Sequence, residues 1–213
     1  MKTINPSELS PMQVQMILQT AVSPRPIALA STIDKNGNVN LSPFSFFNLF
    51  SSNPPILIFS PARRVRDNST KDTLHNVLEV PEVVIGNVNF DMVQQVSLSS
   101  TEYETGVDEF IKSGLTKNPA ELVKPPLIAE SPVNFECKVI EVKPLGNEGG
   151  AGNLVICEVL KIHIREEFLN EEGNLDQKKL DLVSRLGGNW YGRTSAETLF
   201  EVPKPLVTKG IGF

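Results

Sequence analysis

The sequence predicts a mainly β protein, an antiparallel β-barrel with peripheral helices. Strand-like apolar runs dominate the chain, and neighbouring runs lie close enough to join as hairpins. The helical patterns are short and fall between or outside those runs, where they would decorate a sheet core. The 213 residues carry no repeat, low-complexity tract or linker, so the expectation is one domain over 1–213.

Ser10 followed by Pro11 marks a helix start, with a hydroxyl cap and proline at the first helical position. Val14, Ile17 and Leu18 then share one face. Arg25–Ile33, "RPIALASTI", reads as a strand, and Asn36-Gly37 inside "DKNGN" turns it back as a hairpin. The returning strand runs directly into "NLSPFSFFN", Asn40–Asn48, where rings and small hydrogen-bonding groups stand together. "PPILIFS" is a further strand, too apolar to be solvated on either face.

Ser69–Val80 is a helix with Leu74, Val77 and Leu78 on its buried side. Glu82–Asn89 is a strand, and Asp91–Ser100 and Val107–Gly114 contain short helices. Two long strands, "VNFECKVIEVKPL" and "NLVICEVLKIHI", flank the glycine-rich loop Gly146–Gly152. Leu175–Leu186 is read as a later helix, leading into "GGNWYGRTS" and a proline-containing tail.

The composition excludes several function classes. A net charge of −5 argues against a broad nucleic-acid-binding face. No apolar run reaches membrane-spanning length and the N-terminus has no signal core, so a cytoplasmic protein without membrane contact is expected. Cys137 and Cys157 both lie in apolar strands and read as buried reduced thiols. His75 and His163 are the only histidines, so no imidazole-based metal site is expected. His75 reads as a surface or boundary residue. His163 alternates with Lys161 and Arg165, opposite Ile162 and Ile164, and is either structural or cleft-lining. The glycine-rich loop is followed by a strand rather than a helix, which reads as a flexible hairpin loop and not a dinucleotide fingerprint.

Ser60–Thr73, "SPARRVRDNSTKDT", is the strongest local signal. Three arginines and a lysine gather just before a helix, whose N-terminal N–H groups and partial positive charge suit an anion. Asp72 is expected to cap that helix. A solvated basic loop is the plain alternative. One strand separates this loop from the aromatic stretch, so both would lie on neighbouring strand ends. A flat heterocycle bearing a phosphate would use both.

The ordered set "SPRPIALAST", "NLSPFSFFN", "NPPILIFS", "KDTLHNV", "GVDEFIKSGL", "ESPVNFECKV" and "SRLGGNWYGR" resembles the flavin reductase-like family, across Pro24 to Arg193. The resemblance implies an FMN-binding split β-barrel of the flavoredoxin or NAD(P)H:FMN oxidoreductase type, often a homodimer. It implies FMN as cofactor and NAD(P)H as co-substrate, with a monooxygenase or redox protein as a possible electron-accepting partner. Ser45, Phe46, Phe47 and Asn48 would line the ring system, and Ser31 and Thr32 would approach it. Ser60, Arg64, Lys71, Asp72 and Thr73 match the segment holding ribityl and phosphate. Arg25, Arg185 and Tyr191 are further candidates for closing the site or meeting the nicotinamide, as is His163. Trp190 departs from the family pattern and would pack in the core or at an interface, or alter access. The reaction implied is hydride transfer from nicotinamide to FMN, needing no general acid. An electron carrier of flavoredoxin type, or a flavin-binding module without turnover, stands as the alternative.

Overall fold

The computed structural model describes residues 1–104 and 106–204. The tail beyond residue 204 lies outside the described residues. Helix α1 (Pro11–Ala21) begins where the sequence places it. Ser10 Oγ accepts the Gln13 N–H while the Gln13 side chain accepts the Ser10 N–H, so two orphan donors of the first turn are satisfied reciprocally. Its apolar residues are not buried: Met12, Met16, Ile17 and Leu18 all face outward.

Strands β1 (Ala28–Ile33) and β2 (Val39–Phe44) form the predicted hairpin. The Asp34 carboxylate accepts the N–H groups of Asn36 and Asn38 at 2.8 Å each, and Gly37 takes the left-handed φ of 91° that this turn requires. The stretch Asn40–Asn48 is not one strand. β2 ends at Phe44, Ser45 and Phe46 bend away, and β3 (Phe47–Ser52) starts a second hairpin with β4 (Pro55–Phe59). The bend separates an inward ring, Phe44, from an outward one, Phe46.

Helix α2 (Asp72–Glu79) buries Leu74 and Val77 as expected, but Leu78 points to solvent. Thr73 and Asn76 complete the buried face instead, because they hydrogen-bond Asn40 and Thr32 beneath the helix. The helix cap is Lys71, with no side-chain bond to the first turn. Asp72 is the first helical residue rather than the cap, where its charge still complements the helix dipole. Then follow β5 (Glu82–Gly86), α3 (Val93–Ser99), α4 (Glu109–Ser113), β6 (Lys117–Asn118), β7 (Leu127–Ile128), β8 (Val133–Pro144) and β9 (Asn153–Ile164).

Leu175–Leu186 is not one helix. Helix α5 (Gln177–Leu180) is a single turn, ended by Asp181 at φ 45°. Asp181 is held there by a bidentate Arg193 guanidinium. Residues beyond it pair as β10 (Val183–Arg185) with β11 (Tyr191–Arg193). A left-handed residue and a hairpin intervene, so the stretch does not continue as a helix.

Seven strands form one antiparallel sheet in the order β2-β1-β5-β8-β9-β4-β3. It curls, since Phe44 on β2 meets Phe59 on β4 with ring centroids 5.2 Å apart although four strands lie between them. The predicted barrel is nevertheless not closed. Among the described residues no ladder joins the edge strands β2 and β3, which the Ser45-Phe46 bend directs apart.

The strand alternation of β1 sends Ala28 and Ala30 into the curl, against Leu57, Val83, Val155, both cysteines and the face of α2. Leu29 and the adjoining Ile27 point to the opposite side, under α3 and α4 with Met92, Val96 and Phe110. Cys137 and Cys157 are free thiols in the inner core, and burial pushes the Cys137 thiol up to about 12. No helix of the described residues is long and apolar enough to cross a membrane.

Candidate functional site

The bend between β2 and β3 opens one wall of a cleft. Helix α1 supplies another, and the loop from Ser60 to Lys71 supplies the floor. Two hollows of about 420 and 400 Å³ share Gln19, Ser45, Phe46 and Ser60. Each falls within the roughly 300–1,000 Å³ of small-molecule sites. One hollow ends at Arg64 and Lys71 and is cationic, while the other runs past Phe47 and Asn48 and is mostly apolar.

The cationic end is built as follows. Arg64 Nη1 donates to Thr70 O at 2.7 Å and to Ser69 Oγ at 3.1 Å, and its Nε donates to Glu102 at 3.1 Å. Arg66 reaches the other oxygen of Glu102 at 2.6 Å. Arg63 also lines this end and braces its own loop through Asn68. Lys71 Nζ lies 5.1 Å from the centre of the Phe44 ring. Among the described residues no carboxylate pairs with it. Burial, with the neighbouring Arg64 adding to it, pulls the Lys71 ammonium below the ordinary lysine value, and Glu102 offsets part of the effect. A desolvated cation without a carboxylate partner, at the floor of a cleft, makes this end a candidate seat for an anion.

The glycine-rich loop is not loose. Gly150 N donates to Arg63 O at 2.9 Å, Arg63 N donates to Ala151 O at 2.9 Å, and Asn68 Nδ2 reaches Asn147 O. A side chain at Gly149 would come within 3.0 Å of the Arg64 and Val65 backbone, and one at Gly152 within 2.5 Å of Ser60 Oγ. These glycines let the β8–β9 connection lie flat against the cation loop and hold it in shape. The loop is the hairpin connection the sequence predicts, but it is braced rather than flexible, because it bonds to a segment distant in sequence.

Of the residues singled out from sequence, Ser45, Phe46, Ser60, Arg64 and Lys71 line the cationic hollow, and Phe47 and Asn48 line its apolar neighbour. The others stand elsewhere. Ser31 is fully buried on the outer face of β1, with Leu41 and Val84 as ladder neighbours, and its Oγ has no hydrogen-bond partner among the described residues. Thr32 and Thr73 are buried in a polar network with Asn40 and Asn76. Asp72 faces a different, polar hollow beside Asp34, His75 and Glu79. His75 itself is exposed, as expected.

Arg25 is a brace. Its Nη1 donates to Val22 O at 2.6 Å and to Gln19 O, capping the end of α1, while Nη2 reaches Leu186 O at 2.9 Å and Nε meets Ser45 Oγ at 3.4 Å. It thereby ties α1, the bend and the β10–β11 hairpin together at the cleft wall. Arg185 stacks on Tyr191 with its guanidinium 4.4 Å from the ring centre, so that pair forms, but within the hairpin rather than among the cleft linings. His163 Nε2 contacts the buried Glu136 at 2.5 Å and does not line the cleft. Trp190 is 76% exposed at the hairpin tip, not in the core. Arg66, one of the three arginines of the loop, lines the cationic hollow, and so do Glu102 and Gln19, which were not singled out. Glu102 lies far along the chain from the arginines it contacts, and nothing in "SSTEYETG" announces it.

Comparison with known proteins gives the family and the fold. A family model described as flavin reductase like domain matches residues 21–181. An uncharacterised protein of Halalkalibacterium halodurans is 38% identical over 208 residues, covering 97% of this chain and 98% of its own. Nitrilotriacetate monooxygenase component B from Bacillus cereus superposes with a TM-score of 0.86 at 27% identity, over 96% of this chain and 98% of that one. The 2-nitrobenzoate 2-nitroreductase NbaA of Pseudomonas fluorescens gives 0.84, also at 27% identity, over 98% and 100%.

Proposed function

The chain belongs to the flavin reductase like domain family, and on that premise we propose that it is an FMN-binding oxidoreductase that accepts hydride from NAD(P)H. The single observation carrying this reading is the pair of adjoining hollows that joins an aromatic, amide-bearing wall at Ser45–Asn48 to Lys71, which has no carboxylate partner among the described residues, and to Arg64, which is paired with Glu102. The residues fit the group. Phe46 offers a flat apolar surface, Ser45, Asn48 and Ser60 offer polar edges, and Lys71 with Arg64 offers charge for a phosphate.

FMN bound there supplies the hydride-accepting ring. The chain's own residues have the tasks of binding and orientation. Arg25 and the Gly149–Gly152 loop hold the two walls at a fixed separation. Phe46 and Phe47 exclude water from the apolar half. No acid–base pair is required of the protein.

The two structural neighbours, one a monooxygenase component and one a nitroreductase, are consistent with electrons leaving for an oxygenase or an organic acceptor. The test is spectroscopic. Purified protein takes up FMN and shows the flavin absorption bands, and anaerobic NADH or NADPH bleaches the long-wavelength one. Uptake without bleaching by either nucleotide removes the reductase reading and leaves an electron carrier. No uptake of FMN removes both.

A homodimer belongs to the same reading. Leu160, Ile162 and Ile164 form an exposed apolar stripe on β9, Leu49 and Phe50 extend the exposed apolar surface on β3, and the outward face of α1 adds Met12, Met16 and Leu18. An exposed apolar stripe on a strand is one mark of a surface that a second chain covers. Light scattering is expected to give twice the chain mass of 23.4 kDa. A monomer at micromolar concentration would count against it.

A further inference from the structure

The cationic end of the cleft already holds an anion, and that anion is part of the chain. Glu102 takes Arg64 Nε on one carboxylate oxygen at 3.1 Å and Arg66 Nη1 on the other at 2.6 Å. It lines the same hollow as Lys71, Ser60 and Phe44. Its loop lies between α3 and α4, outside the strands that build the cleft, and its side chain is about half exposed. It can therefore leave the arginines without disturbing the sheet. The Arg64 hydrogen bond, ahead of the charge of Arg66, holds its carboxyl below the usual range.

We infer that Glu102 is an internal competitor for the phosphate seat, a specificity-determining carboxylate that a flavin 5′-phosphate must displace from Arg64 and Arg66. This rests on the reading of the cleft as an FMN site and adds to it a residue that sets how tightly FMN is held. Two consequences follow from charge alone. A ligand without the phosphate gains nothing from displacing Glu102 and is indifferent to it. A dianionic phosphate pays for breaking two guanidinium contacts and for any like charge that stays near, so Glu102 keeps FMN exchangeable.

The experiment titrates FMN and riboflavin into the full chain, followed by flavin fluorescence at low and moderate salt, for wild type, Glu102→Gln and Glu102→Asp. Glu102→Gln is expected to bind FMN roughly three- to tenfold more tightly at low salt, with the gain shrinking as salt screens it. Riboflavin affinity stays within about twofold. Glu102→Asp, which keeps the charge, stays near wild type for both ligands. FMN affinity unchanged or weakened in Glu102→Gln overturns the inference. So does equal tightening in Glu102→Gln and Glu102→Asp, because loosening of the loop rather than charge would then be the cause. Wild type binding FMN no more tightly than riboflavin is a different failure, since it removes the phosphate seat itself and the reading beneath it.

Discussion

Replacing Lys71 with Met and Arg64 with Gln together lowers FMN affinity by about 100-fold or more, while riboflavin affinity changes by less than about threefold. Hydrogen bonds to charged groups are worth roughly 1.5–3 kcal/mol each, so two lost from one phosphate reach that range even with partial compensation by Arg66. The single Lys71→Met variant separates binding from folding. Lys71 is held half-buried over Phe44 with no carboxylate, and burial lowers its pKa. Removing the charge relieves that desolvation, so the variant unfolds at an equal or higher temperature while losing phosphate-dependent affinity. The pH dependence has a definite sign. Because the folded ammonium titrates below an ordinary lysine, the phosphate-dependent part of FMN affinity fades as pH rises into that lowered range. The destabilisation that burial imposes is present below the range and relieved above it. Parallel loss of FMN and riboflavin affinity in the double variant would move the ligand's anion elsewhere.

How much of this was legible in the sequence depended on whether the determinant was local. The helix start at Ser10-Pro11, the Asn36-Gly37 hairpin and the long strand pair around the glycine loop follow from spacing and turn chemistry within a few residues. The cleft was legible as two chemistries, rings at Phe46 and cations at Arg64 and Lys71, one strand apart. Thr32 and Thr73 lie outside the cleft for a shared reason. A small hydroxyl on a strand or helix start looks the same whether it faces a ligand or another buried amide. Here Asn40 and Asn76 claim Thr73 and Thr32. Leu78 failed because the buried face of α2 is completed by Thr73 and Asn76, polar groups that a hydrophobic pattern does not count. Glu102 and the buttressing glycines depend on approaches between segments distant in sequence, which no window detects. The unclosed sheet belongs to the same class, because the bend at Ser45-Phe46 matters only once β2 and β3 are known to be its two edges.

Glu136 offers the sharpest test of the part of the molecule that was read as a nicotinamide contact. It is fully buried in β8, and one carboxylate gathers four donors. The backbone N–H groups of Glu121, Leu122 and Val123 lie at 3.0, 2.6 and 3.0 Å, and His163 Nε2 lies at 2.5 Å. Burial alone would raise its pKa, yet the hydrogen bonds from Glu121, His163, Leu122 and Val123 outweigh that and hold the carboxyl below its ordinary value. Glu136→Leu leaves three backbone donors and an imidazole without their acceptor and is expected to cost about 3–5 kcal/mol in chemical denaturation, a large share of a typical domain's stability. Since the folded pKa is depressed, the stabilisation is whole above the unfolded carboxylate value of about 4.3 and is lost as pH falls through the folded one. Wild type therefore loses stability on acidification through that window, and Glu136→Leu loses less. His163→Gln, which removes one of the four donors, is expected to lower stability by about 1 kcal/mol and to leave the NAD(P)H KM unchanged, as a residue outside the cleft should. A raised KM at unaltered stability would return His163 to the nicotinamide and require the β8–β9 face, rather than the Ser45–Asn48 wall, to receive the reductant.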